Sequence, residues 1–257
     1  MLAEPPSVYC AVCCETVTAP GATIVLPCTH GFCRGCIDTL FNRHADAGDY
    51  ASLCPVCRAP LFGAAHESYR QARDLLEGGS YDAAVELFGV ARDAATPFAT
   101  GPAGQNRLAY VSQYDIGCAH QSAGRREAAA LAYRAAFNLS AGTNAMAVSN
   151  EGSMLFELGQ QAAAVACWVS AVALDPMDML THHNLACVYI ERGDLAAAQL
   201  KLDLLIEHEP LNARSHNLRG VFFQHQGQTE LARAAYTRAL ELNPRSTDAA
   251  GNLIALA

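Results

Sequence analysis

Through the C-terminal part of the chain, apolar and polar positions repeat with a period longer than any single secondary-structure element. Pro176, Pro210 and Pro244 stand 34 residues apart, closing the runs "AVALDP", "LLIEHEP" and "ALELNP". Aligned on these prolines, Gly159, Gly193 and Gly227 share one column, Ala164, Ala198 and Ala232 a second, and Trp168, Leu202 and Tyr236 a third. Small residues recur where helices must touch, and bulky ones recur where a core must be filled. The same signature lies upstream, in Gly124, Ala129, Tyr133 and Ala136 and again in Gly79, Ala84, Phe88 and Ala91. Between these two copies, "PFATGPAGQN" (97–106) interrupts the pattern with glycine and proline and reads as a loop.

A fixed period of this length signals a repeat architecture, and this pattern resembles the tetratricopeptide repeat. The resemblance implies two antiparallel helices per repeat, joined at the glycine. It divides residues 63–257 into five repeats, near 65–98, 110–143, 145–178, 179–212 and 213–246, with a capping helix over 247–257. Repeats of this kind stack into an all-α superhelix, an α-solenoid whose concave side is suited to an extended peptide or a partner helix. Asn150, Asn184 and Asn252 fall at one phase on that side, where their amides would contact a peptide backbone or serve packing and capping. Of the family's carboxylate clamp for acidic tails, only Asn184 and Arg214 fit; Ser149, Ser153 and Leu218 hold the other slots, which disfavours a chaperone-tail receptor. Among His182, His183 and His216, only His183 is expected to face the groove.

The N-terminal stretch has a different chemistry. "CAVCCE", "CTHGFCRGC" and "CPVCR" place eight candidate metal ligands within 57 residues: Cys10, Cys13, Cys28, His30, Cys33, Cys36, Cys54 and Cys57. Thiolates at a two-residue interval can turn toward one ion, and zinc is the usual occupant of a closed site with four such ligands. Cys14 competes with Cys13, but the interval to Cys10 favours Cys13. His44, after the helix expected in "CIDTLFNRH", fits no ligand slot.

This order resembles the RING domain, a small α+β fold cross-braced by two structural zinc ions. The resemblance implies that Cys10, Cys13, Cys33 and Cys36 hold the first ion, and Cys28, His30, Cys54 and Cys57 the second. It further implies a surface for a ubiquitin-conjugating enzyme made by Val12, Leu40 and Pro55. Arg58 matches the linchpin arginine, whose guanidinium fork bonds the conjugating enzyme and its attached ubiquitin, and so carries the catalytic role. Leu40 departs from the tryptophan common there, which would retune the choice of conjugating enzyme. The expected boundary puts the zinc domain at 1–62, and the short apolar connection through Leu61 and Phe62 favours docking on the first repeat.

Composition narrows the function. A net charge of −8 without a run of basic residues argues against a nucleic-acid footprint. No stretch is apolar enough to span a membrane, and no secretory leader is recognised in "MLAEPPSVYC", so a reducing cytoplasmic or nuclear setting is expected. Lys201 is the only lysine; genome composition explains this more simply than function does. Cys118, Cys167 and Cys187 lie far apart with no activating pattern and read as small buried hydrophobes. The combined expectation is a RING-type ubiquitin ligase that forms no covalent intermediate and recruits a protein or peptide substrate through its repeats. The alternative is a non-catalytic scaffold with a structural zinc module.

Overall fold

The computed structural model describes residues 63–95 and 107–256, together with the backbone of four short strands. The strands are β1 (Val8–Tyr9), β2 (Thr16–Val17), β3 (Thr23–Val25) and β4 (Gly31–Cys33). They pair as two antiparallel hairpins, with Val8 opposite Val17 in one and Ile24 opposite Phe32 in the other. The loop expected over 97–106, the helix expected after Cys36 and the junction at residue 62 lie outside the described residues.

The remainder is helical: α1 (Gly63–Glu77), α2 (Tyr81–Ala95), α3 (Arg107–Ser122), α4 (Arg126–Leu139), α5 (Ala145–Glu157), α6 (Gln161–Leu174), α7 (Met179–Glu191), α8 (Leu195–His208), α9 (Ala213–His225), α10 (Thr229–Leu242) and α11 (Thr247–Ile254). Two compact units result, Met1–Ala147 and Val148–Ala257, and each has its own apolar core. In the first, Ala72, Ala84, Phe88, Ile116 and Ala132 pack together. In the second, one cluster gathers Leu155, Ala164, Trp168, Leu185 and Val188, and another gathers Ala186, Ile190, Ala198, Leu202, Leu218 and Phe222. Among the described residues, no helix is long and apolar enough to cross a membrane.

The glycine column is the turn within each pair. Gly79, Gly124, Gly159, Gly193 and Gly227 all have φ between 70° and 76°, a left-handed conformation that costs glycine nothing and any other residue a steric penalty. The turn closes by paired backbone bonds, such as Gly159 N–H to the Phe156 carbonyl and Gln160 N–H to the Leu155 carbonyl, 2.9 Å each. The alanine and bulky columns are buried: Ala84, Ala129, Ala164, Ala198 and Ala232 have no exposed surface, and Phe88, Tyr133, Trp168, Leu202 and Tyr236 are at most 2 % exposed.

A further column lies 16 residues before each bulky residue, on the first helix of the pair. Glycine stands there opposite the three larger rings: Gly117 against Tyr133, Gly152 against Trp168 and Gly220 against Tyr236. A Cβ built on these glycines would come within 2.6, 2.8 and 2.3 Å of the ring. Opposite the smaller Phe88 and Leu202 stand Ala72 and Ala186, packed in the same clusters. Helix approach thus sets a fixed volume that each pair of positions shares.

The turns between pairs use different chemistry. Asp175, Glu209 and Asn243 end their helices before Pro176, Pro210 and Pro244, because the residue before proline is driven out of the helical region. Asp178, Asn212 and Ser246 then cap the next helix by accepting backbone N–H bonds. His182 Nε2–H donates to the Pro176 carbonyl at 3.0 Å, and His216 Nε2–H to the Pro210 carbonyl at 2.8 Å. At the turn after α4 no proline is present, and Ala141 (φ 53°) and Gly142 (φ 77°) reverse the chain.

Candidate functional site

The two N-terminal hairpins frame the cysteine elements. In sequence, residues 10–15 between β1 and β2 carry Cys10 and Cys13, and residues 26–30 between β3 and β4 carry Cys28 and His30. Cys33 ends β4, and β4 lies beside β1. Apart from the backbone of Cys33, the candidate ligands and the positions Val12, Leu40, Pro55 and Arg58 lie outside the described residues, as do Cys14 and His44. The donor set itself, seven thiols and one imidazole, matches the soft and borderline ligands that closed zinc sites use.

Of the three asparagines expected to face one groove, Asn252 lines an opening with Val221, Gln224 and His225. Its Nδ2 donates to Asn217 Oδ1 at 3.1 Å. Asn150 and Asn184 are half-buried. His183 shares a small pocket of about 120 Å³ with Asn212, Arg214 and Ser215. Its Nδ1 lies 3.7 Å from Cys187 Sγ. Burial, with Arg214 adding repulsion, pulls the His183 pKa down to about 4, and burial beside Glu191 pushes the Cys187 thiol up to about 11. Thiol and imidazole are therefore both neutral near pH 7, the reverse of an activated cysteine. Cys118, Cys167 and Cys187 are half-buried rather than fully buried, and Cys167 and Cys187 pack against the apolar clusters as small hydrophobes. The Cys118 thiol is also shifted up by burial.

The first unit holds a larger opening that the sequence reading did not single out. A pocket of about 480 Å³ is lined by Tyr69 and Arg73 from α1, by Tyr110, Tyr114 and Asp115 from α3, and by residues 140–146. Asp115 is 5 % exposed, and its Oδ2 accepts from the Tyr69 hydroxyl at 2.6 Å. Arg73 lies 3.8 Å from the same oxygen and 3.6 Å from Glu77. Burial raises the Asp115 pKa, against the opposing effects of Tyr69 and Arg73, and burial beside Asp115 also raises that of the Tyr69 phenol.

Comparison with known proteins defines the two parts. The Ring finger domain family matches residues 9–58. The Tetratricopeptide repeat family matches 183–251, and a second TPR repeat family matches 152–193. RING finger protein 141 from Homo sapiens and from Mus musculus is 36% identical over 55 residues, 21% of this chain and 19% of the relative. The chain thus spans about a fifth of the length of the curated relatives it matches. Among solved structures, a tetratricopeptide repeat protein from Parabacteroides merdae superposes with a TM-score of 0.65 at 16% identity, covering 75% of this chain and 72% of that one. MamA from Desulfovibrio magneticus gives 0.60 at 17% identity, covering 72% and 98%. These likenesses are of fold alone. The chain carries a ring finger domain at its N-terminus followed by tetratricopeptide repeats in an α-solenoid.

Proposed function

We propose that this chain is a RING-type ubiquitin–protein ligase. The observation that carries the reading is the ring finger match over 9–58, which encloses all eight candidate ligands and ends on Arg58. Cys10, Cys13, Cys33 and Cys36 would hold one zinc ion, and Cys28, His30, Cys54 and Cys57 a second. The approach of β4 to β1 supports the first set, because it draws Cys33 toward the segment that begins at Cys10. Bound zinc supplies cross-links that let a segment of this length fold around a very small apolar core.

The chemistry belongs to the conjugating enzyme. Val12, Leu40 and Pro55 offer it an apolar docking surface, and Arg58 extends a planar fork of donors toward the carbonyls of enzyme and ubiquitin. Transfer is accelerated because the conjugate is held in its reactive geometry, so no nucleophile of this chain is required. The tetratricopeptide repeats recruit the protein substrate, and the cytosol or nucleus is the setting.

A discharge assay tests the proposal. Conjugating enzymes charged with ubiquitin are mixed with free lysine, with and without the full chain, and loss of the thioester is followed. Faster discharge with at least one enzyme is expected. No acceleration across a broad panel would favour the scaffold reading.

A further inference from the structure

The pocket in the first unit joins a buried carboxylate to an aromatic lining. Asp115 is almost fully buried, yet both of its contacts, from Tyr69 and Arg73, fall on Oδ2. Among the described residues, Oδ1 has no partner, although Asp115 lines an open pocket. That oxygen is open to solvent through the pocket, so a donor arriving there would replace water at a carboxylate whose other side is held within the protein. Tyr110 also lines the pocket, and its hydroxyl has no partner among the described residues. Tyr114, Val111 and Met146 complete an aromatic and apolar lining.

The charge balance selects the sign of the occupant. Arg73 is shared between Asp115 and Glu77, so the three groups carry one net negative charge. Three of the donors at the start of α5, where an anion would be favoured, are already used within the turn. Asn144 Oδ1 accepts the Ala147 N–H at 3.0 Å, the Asn144 N–H bonds Ser140 Oγ at 3.1 Å, and Thr143 Oγ1 donates to the Ser140 carbonyl at 2.8 Å. A cation entering the pocket would meet a vacant carboxylate oxygen and tyrosine faces, both of which attract it. Its flat, weakly hydrated guanidinium suits arginine better than lysine to a site that demands stacking and desolvation together.

We propose that this pocket binds an arginine side chain presented by an extended segment of the recruited protein, with its guanidinium on Asp115 Oδ1 and its plane against Tyr110 and Tyr114. This deepens the reading of the repeats as the recruiting module, but it does not depend on activity of the zinc domain. The raised pKa of Asp115 agrees with a carboxyl that lacks its full set of donors, and a bound guanidinium would draw it back toward the ionised form.

The test uses the full chain labelled with 3-fluorotyrosine and observed by fluorine NMR, with signals assigned by Tyr→Phe variants. The probe is acetyl-Gly-Ala-Arg-Ala-Gly-amide, alongside peptides carrying citrulline, lysine or glutamate in place of arginine. The arginine peptide should shift the Tyr110 and Tyr114 signals saturably, and the neutral but isosteric citrulline peptide should bind about tenfold more weakly. Asp115→Asn should erase that preference. Tyr110→Ala, which alters a half-buried pocket wall, should weaken the arginine peptide and serves if the first variant does not fold. Equal binding of the citrulline peptide, better binding of the glutamate peptide, or no shift of either signal at millimolar peptide would overturn the proposal. The readout does not involve ubiquitin, so each of these results is separable from failure of the ligase reading.

Discussion

Replacing Gly220 by alanine places a methyl group 2.3 Å from Tyr236 Cε1 and 2.4 Å from Cδ1, well inside van der Waals contact. The ring has little room to yield. It is fully buried, and its hydroxyl donates to Gln224 Oε1 at 2.7 Å. Overpacking of this kind costs about 1–3 kcal/mol, while alanine gains about 1 kcal/mol over glycine within a helix. The net expectation for Gly220→Ala is a loss of up to about 2 kcal/mol. Tyr236→Leu alone should lose about 2–3 kcal/mol, from the vacated ring volume and the missing hydrogen bond. With the ring gone, the same glycine substitution meets no obstacle, so it should stabilise by about 0.5–1 kcal/mol, which recreates the natural Ala186 and Leu202 arrangement. The coupling is then roughly 0.5–3 kcal/mol, read from urea unfolding of the four proteins followed by far-ultraviolet circular dichroism. If Gly220→Ala changes stability by the same amount with and without the tyrosine ring, the shared-volume reasoning is wrong.

Three further outcomes follow from the structure and the proposal. Metal analysis of the purified chain should find two zinc ions; His30→Ala should leave one, and a single ion in the unsubstituted protein would reject the two-site assignment. His183 has a folded pKa of about 4, below its ordinary 6.5, so the unfolded chain takes up the proton first. The stability His183 contributes is therefore complete above pH 6.5 and is lost as the pH falls toward 4, on the order of 3 kcal/mol in all. Unfolding measured between pH 7.5 and 4 should show a shallower decline in His183→Gln, and an unchanged slope would show that other groups drive it. Ala141 holds a left-handed φ of 53°, so Ala141→Gly should raise the unfolding midpoint by the equivalent of about 0.5–1 kcal/mol; a lowered midpoint would contradict this.

The fold was legible where one residue's own chemistry dictates the geometry. Gly79, Gly124, Gly159, Gly193 and Gly227 mark left-handed turns because no other residue adopts them so cheaply, and the alanine and bulky columns mark burial through their period. What escaped the sequence depends on a partner. Gly117, Gly152 and Gly220 look like weak points inside helices until the rings of Tyr133, Trp168 and Tyr236 are seen against them. His182 and His216 gave no hint of their proline carbonyls, although a 34-residue spacing joins them too. The pocket escaped for a similar reason. Tyr69 and Asp115 lie 46 residues apart on different helices, and although Asp115 stands at the phase of Asn150 and Asn184, phase alone does not bring a tyrosine hydroxyl onto its carboxylate. Asn150, Asn184 and Asn252 share a phase in the sequence, but phase fixes only a face of a helix, and the bond from Asn252 to Asn217 could not be read from it.

The most direct measurement of the central claim is single-turnover discharge of ubiquitin from an activated conjugating enzyme by the full chain and its Arg58→Ala variant, with docking of the uncharged enzyme measured in parallel. Arg58 directly follows the last candidate ligand and is not one itself, so its loss should spare zinc content and docking. A donor fork used mainly in the reactive conjugate should then appear in turnover rather than in binding. The account predicts discharge slowed by about tenfold or more with docking nearly unchanged, and only partial recovery in Arg58→Lys. Discharge at the unsubstituted rate by Arg58→Ala would contradict it.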